Sequence, residues 1–154
     1  MQFYAVSLNS TTIINALNFK MENLNKFTFT LIVNENEIDN LNHVNNIHYI
    51  KWVQEAAQKH WNILSNTNLD ALYVWVVLRH EIDYISSAKL HDNITVNTWI
   101  GNSYGVKSER FVEIKKDSKV IAKAKTIWCL LDKKTMKPSR IPLEIIKILE
   151  LKND

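Results

Sequence analysis

One uninterrupted amphipathic run, about Asn46 to Leu64, constrains this chain more than any other feature. Ile50, Val53, Ala57, Trp61 and Leu64 recur at three- and four-residue steps, and Tyr49 and Ala56 widen the stripe. Lys51, Gln54, Lys59 and Asn62 fall largely on the other side, and no Gly or Pro interrupts the run. The spacing predicts one long helix with a single apolar face. Such a helix cannot bury itself, so the rest of the chain must supply the surface that covers it.

The remaining segments read as strands. Phe27–Val33 is β-branched and aromatic, and Asn34 through Asn45 is an Asn-rich loop. After a polar break at Ser65–Asn68 comes Tyr73–Tyr84, apolar on both faces at first, as expected of a strand covered twice or lying at an interface. Asn93–Ile100, Val106–Lys115 and Val120–Leu131 complete the set. Residues 101–105 join the first pair as a hairpin and residues 116–119 join the second. Residues 132–138 form a turn-rich loop, and Pro142 sits at or near the first turn of a short C-terminal helix, where a missing N–H costs nothing. The economical solution is an α+β architecture: a curled, mainly antiparallel sheet wrapped around one central helix. Residues 1–20 are polar and irregular and are expected to form an extension outside a single domain spanning 21–154.

Composition narrows the class. Of 154 residues, 46% are hydrophobic and 23% charged, which fits a globular domain and argues against disorder. No apolar run approaches the roughly 20 residues of a membrane-spanning helix, so no membrane insertion is expected. The N-terminus does not read as a signal peptide, and the single Cys129 excludes an intrachain disulfide, which fits a cytoplasmic setting. The five histidines show no metal-ligand spacing, and no metal or cofactor is expected. Charge is uneven. Residues 1–104 carry 6 Lys/Arg against 9 Asp/Glu, and residues 105–154 carry 13 against 7. The basic half suits either a solvated sheet face or an anionic partner such as a nucleotide phosphate or an acidic carrier protein. No recognition helix or basic-aromatic motif points to nucleic acid.

The chemistry concentrates where the loop opens into the helix. Asp39 and His43 stand four residues apart, followed by Asn45 and Asn46 at the helix start. The first turn of a helix leaves backbone N–H groups unpaired, and these can hold an oxyanion. A carboxylate beside them can act as nucleophile or general base at a carbonyl. The same residues also suit a turn at Asp39 and a plain N-cap at Asn45.

This stretch resembles the hotdog-fold acyl thioesterases, in the 4-hydroxybenzoyl-CoA thioesterase-like and acyl-ACP thioesterase-like branches. The resemblance is carried in order by Glu37-Ile38-Asp39, by His43-Val44-Asn45-Asn46-x-x-Tyr49-x-x-Trp52, and by Arg79-His80-Glu81-Ile82-Asp83-Tyr84 with Ser87-Ala88. It continues through Asp92, Ala122-x-Ala124-x-Thr126-x-Trp128 and Pro138-Ser139-Arg140-Ile141-Pro142, over roughly residues 21–150. It implies a hotdog fold and hydrolysis of an acyl-CoA or acyl-ACP thioester. It implies Asp39, His43 and Glu81 as catalytic residues, with Asn45, Asn46 and Tyr49 as the oxyanion or substrate-binding group. Tyr49 and Trp52 also suit packing of the helix face, and Glu81 also suits an ion pair with Arg79 or Arg110. In the plant-type enzymes an Asn stands two residues before the His; Leu41 occupies that position here. The residue before the His, often Gly in bacterial relatives, is Asn42, which tolerates a left-handed backbone. The family further implies a homodimer or dimer of dimers with the site at the subunit boundary. The alternative reading is a non-catalytic hotdog module that binds acyl thioesters or acyl carrier protein. A second rival, hydration of an enoyl thioester, needs a different loop arrangement of His and acid.

Overall fold

The structure is a computed structural model that describes residues 25–150. The expected extension at 1–20 lies outside the described residues. Strand β1 (Lys26–Ile32) leads through a 3-10 turn (Glu35–Glu37) and the Asn-rich loop into helix α1 (Asn46–Leu64). A short helix α2 (Thr67–Leu72) follows, then β2 (Tyr73–Tyr84), β3 (Asn93–Tyr104), β4 (Lys107–Lys116) and β5 (Lys119–Asp132). The chain ends with β6 (Lys137–Pro138) and helix α3 (Leu143–Leu149). All pairings are antiparallel, in the order β1-β3-β4-β5-β2, with β6 beside β5.

The helix packs on one face of this sheet. Tyr49, Trp52, Val53 and Ala56 bury against Ile94 and Val96 of β3, Val112 and Ile114 of β4, and Ala122 and Ala124 of β5. Alternation along β3 and β4 points every second side chain at the helix. A second cluster gathers Leu69, Leu130, Ile141, Ile145 and Leu149 around α3. Full burial of one such Leu or Ile contributes about 1.5–3 kcal/mol.

Three local expectations need correction. The polar break is shorter than Ser65–Asn68: Ser65 and Asn66 separate the two helices, and Asn66 caps α2 by accepting the Leu69 N–H at 3.0 Å, so Thr67 and Asn68 already belong to the next element. Residues 101–105 are not a five-residue connection, because β3 runs to Tyr104 across a register shift after Ile100. The turn itself is Gly105-Val106, and Gly105 takes the positive φ of 60° that it needs. On α1 the fully buried set includes Trp52 and His60, whereas Ile50, Trp61 and Leu64 are half-buried. The curled sheet reaches further round the helix toward Trp52 than the periodicity indicates. Asp117-Ser118 closes the β4–β5 hairpin with φ of 47° and 66°, a pair of left-handed residues that matches the strand twist.

Strand β2 is an edge of the sheet. Its outer backbone groups have no strand partner among the described residues, while Val74–Val77 are half-buried and Leu78 is 53% exposed.

Candidate active site

The loop before α1 is held by a ladder of short bonds. The Asp39 N–H donates to the His43 carbonyl at 2.8 Å, and the Asn42 N–H to the Asp39 carbonyl at 3.1 Å. Asp39 Oδ1 accepts the N–H groups of Leu41 at 2.9 Å and His43 at 3.3 Å, so the carboxylate folds its own turn. Asn42 sits at φ 59°, the left-handed backbone that its side chain tolerates. No hydrogen bond to Asp39 Oδ2 is found among the described residues, which leaves that oxygen available to a ligand.

The helix start is fixed from two sides. Asn45 is the N-cap: its Oδ1 accepts the Ile47 N–H at 3.1 Å. Its own N–H donates to the Glu37 carbonyl at 2.8 Å and is therefore not an oxyanion donor in this arrangement. The neighbouring Asn46 N–H has no acceptor among the described residues, and Asn46 is exposed. Of the two N–H groups expected to hold an oxyanion, the geometry leaves Asn46.

These residues share one cleft of about 510 Å³, lined by Asp39, Leu41, His43, Asn45, Asn46 and Tyr49, and closed by residues 84–87 at the end of β2. His43 is half-buried, and its backbone carries the turn bonds to Asp39. Tyr49 forms the floor. It is 2% exposed, and its hydroxyl accepts the Ala88 N–H at 2.9 Å, while the Ala88 carbonyl accepts the Val44 N–H at 2.9 Å. Burial pushes the Tyr49 phenol above its ordinary range, so it stays neutral.

Glu81 is not brought to this cleft. On β2 it lies in the register pair with Lys125, whereas His80, Ile82 and Tyr84 pair with Thr126, Ala124 and Ala122, the residues of β5 on the helix side. Strand alternation thus places Glu81 on the outer face, where it is exposed and pairs with Arg79 at 2.6 Å. Within one chain Glu81 has the surface ion-pair geometry that its spacing from Arg79 also allowed.

Sequence reasoning did not single out Glu37 as a supporting residue. It is 9% exposed; Oε1 accepts the Trp52 indole N–H at 3.1 Å, and Oε2 accepts the Asn34 N–H at 2.9 Å. With its carbonyl on Asn45, this residue ties the 3-10 turn to both the helix start and the helix face. The Asn34-x-x-Glu37 spacing is a capping box, a signal that was readable.

Among the described residues there is no cluster of His, Cys, Asp or Glu able to hold a metal ion, and no helix long and apolar enough to cross a membrane.

Comparison with known proteins agrees with this picture. The family model described as the acyl-ACP thioesterase N-terminal domain matches residues 24–149. A chloroplastic acyl-[acyl-carrier-protein] hydrolase of Cuphea viscosissima is 25% identical over 79 residues, which are 50% of this chain and 19% of that protein. The match therefore spans about a fifth of that relative's length. Two solved structures share the fold: a 1,4-dihydroxy-2-naphthoyl-CoA thioesterase from Synechocystis and a thioesterase complexed with coenzyme A and zinc from Thermus thermophilus. The first has a TM-score of 0.71 and 18% identity, covering 80% of this chain and 95% of the other. The second has a TM-score of 0.71 and 19% identity, covering 80% and 96%. The curled sheet around α1 is the hotdog fold.

Proposed function

We propose that this chain, which belongs to the acyl-ACP thioesterase N-terminal domain family, hydrolyses an acyl thioester to a free acid and a thiol. The observation that carries this reading is the shared cleft of Asp39, whose Oδ2 has no partner among the described residues, and the Asn46 N–H at the start of α1, likewise without an acceptor among them. A thioester carbonyl seated with its oxygen on that N–H is polarised, and the helix dipole favours the negative charge that develops there.

As general base, Asp39 takes a proton from water while the water oxygen bonds to the carbonyl carbon. The tetrahedral intermediate carries its charge on the oxygen held by Asn46. Collapse breaks the C–S bond, and the proton on Asp39 passes to the departing thiolate. As nucleophile, Asp39 instead bonds to the carbonyl carbon, the C–S bond breaks and the thiolate leaves to take a proton from solvent, and water then opens the mixed anhydride to the free acid and the Asp39 carboxylate. In one turnover in ¹⁸O-water, label found in the Asp39 carboxylate identifies the second route, with water opening the anhydride at the aspartyl carbon. His43 shapes the turn that aims Asp39, and Tyr49 forms the cleft floor.

The carrier is coenzyme A or acyl carrier protein, and the basic second half of the chain supports an anionic one. The unpaired β2 edge supports a homodimer or a dimer of dimers, because an apolar open edge otherwise invites aggregation. Leu41, which is 74% exposed at the cleft where plant-type enzymes have Asn, favours a second reading, a module that binds acyl thioesters without turnover. Free-thiol release from a series of acyl-CoA and acyl-ACP thioesters decides between them. Turnover supports the enzyme, and tight binding without thiol release supports the module.

A further inference from the structure

A second cavity, of about 610 Å³, opens between α1 and the β2 side of the sheet. Trp61, Trp75, Val77 and Trp128 give it an aromatic and apolar wall, on which Trp61 and Trp75 meet edge to face at 5.8 Å, and Gln54, Gln58, Asn62, Asp70, Ser108 and Lys133 line the rest. Arg110, which also lines it, is a β4 residue that faces the helix where the same strand presents Val112 and Ile114.

Arg110 is 6% exposed, yet no carboxylate lies within ion-pair range of it among the described residues. Its Nη1 reaches His60 Nδ1 at 2.9 Å and Thr98 Oγ1 at 3.2 Å, both neutral acceptors in that role. No bond is found for Nε or Nη2, although a guanidinium carries five N–H donors. Arg110 is thus a buried cation with donors left over and no carboxylate partner among the described residues. Burial lowers the Arg110 pKa to about 10, which still leaves it charged at neutral pH. A buried charge without an opposite charge is costly, and buried donors ordinarily find acceptors. An anionic group in the cavity supplies the partner that Arg110 lacks.

We propose that this cavity receives an acyl group that carries a carboxylate at its far end, with Arg110 as the residue that selects it. The aromatic walls take the hydrocarbon, and the planar fork of Arg110 takes both carboxylate oxygens. The proposal names the substrate class for the thioesterase reading and rests on it. Together they describe a hydrolase of ω-carboxyacyl thioesters.

The test compares two coenzyme A thioesters of equal chain length, one ending in a methyl group and one in a carboxylate, on the full-length protein. Thiol release is expected to favour the carboxylate substrate by about tenfold or more in kcat/KM. Arg110→Met is expected to erase that ratio, and Arg110→Lys to restore part of it. A wild-type ratio at or below one overturns the proposal, whether or not the variants fold. So does a ratio that Arg110→Met leaves unchanged. If neither thioester is hydrolysed, the thioesterase reading fails, and tryptophan-fluorescence titration with the same pair decides this one. Tighter binding of the carboxylate thioester, lost in Arg110→Met, supports the selection, and equal binding overturns it.

Discussion

The Trp52 indole donates to the Glu37 carboxylate at 3.1 Å, joining the middle of α1 to the loop that precedes it. This bond, with the Asn45 N–H on the Glu37 carbonyl at 2.8 Å, fixes where the helix begins relative to Asp39. Replacing Glu37 with Ala leaves a buried indole donor unpaired and releases the Asn34 cap. The expected cost is about 1.5–3 kcal/mol, the range for a hydrogen bond to a charged group. Urea denaturation of Glu37→Ala measures it, and a loss under 0.5 kcal/mol would remove Glu37 from the framework of the site.

Asn45 acts through its side chain, and the expected consequences separate. Asn45→Ala removes the cap on the Ile47 N–H and is expected to cost about 1 kcal/mol, or about 2–4 °C in Tm. Asn45→Asp keeps an acceptor and is expected to hold its Tm within a degree or so of wild type. Scanning calorimetry of the two variants checks the order; equal losses would mean that the cap contributes nothing.

His80 gives the fold a pH dependence. It bonds Thr126 Oγ1 through Nδ1 at 2.9 Å, its Nε2 is buried without a partner, and burial lowers its pKa. The unfolded chain takes up its proton near about pH 6.5, and the folded chain only at lower pH. Stability is therefore complete above about pH 6.5 and falls as pH drops through the lower folded value. His80→Gln is expected to flatten the slope of unfolding free energy between about pH 6.5 and 5, where the unperturbed imidazole titrates. An unchanged slope would assign the acid sensitivity to other groups.

The open edge of β2 carries the expectation of a dimer. Light scattering should give twice the chain mass or a multiple of it. Leu78→Lys, which puts a charge on that edge, should shift the population toward monomer, since edge charges are how sheets avoid pairing. A monomeric wild type at working concentration would contradict the assembly.

Much of this architecture was readable from periodicity. The bounds of α1 and β2 agree with the expected segments, because long unbroken patterns leave little choice of period. The cap at Asn45 and the left-handed Asn42 were equally legible, since both follow from side-chain chemistry acting within a few residues. What the sequence hid depends on distant neighbours. Glu81 and His80 are adjacent in the chain, but only the pairing of β2 with β5 shows which of them faces the helix. Arg110 reads as an ordinary strand cation until the fold buries it under α1 beside His60. The Asn45 N–H looks free at a helix start, and it is the return of the 3-10 turn that occupies it.

The central claim is that Asp39 acts on a carbonyl held at the start of α1, and thiol release by Asp39→Asn tests it most directly. Asparagine keeps an oxygen for the Leu41 and His43 N–H groups and so preserves the turn, but it neither accepts a proton nor attacks as a carboxylate. With a folded variant of wild-type Tm, kcat is expected to fall by about 100-fold or more, the usual contribution of a positioned acid or base. Wild-type turnover in Asp39→Asn would contradict the account.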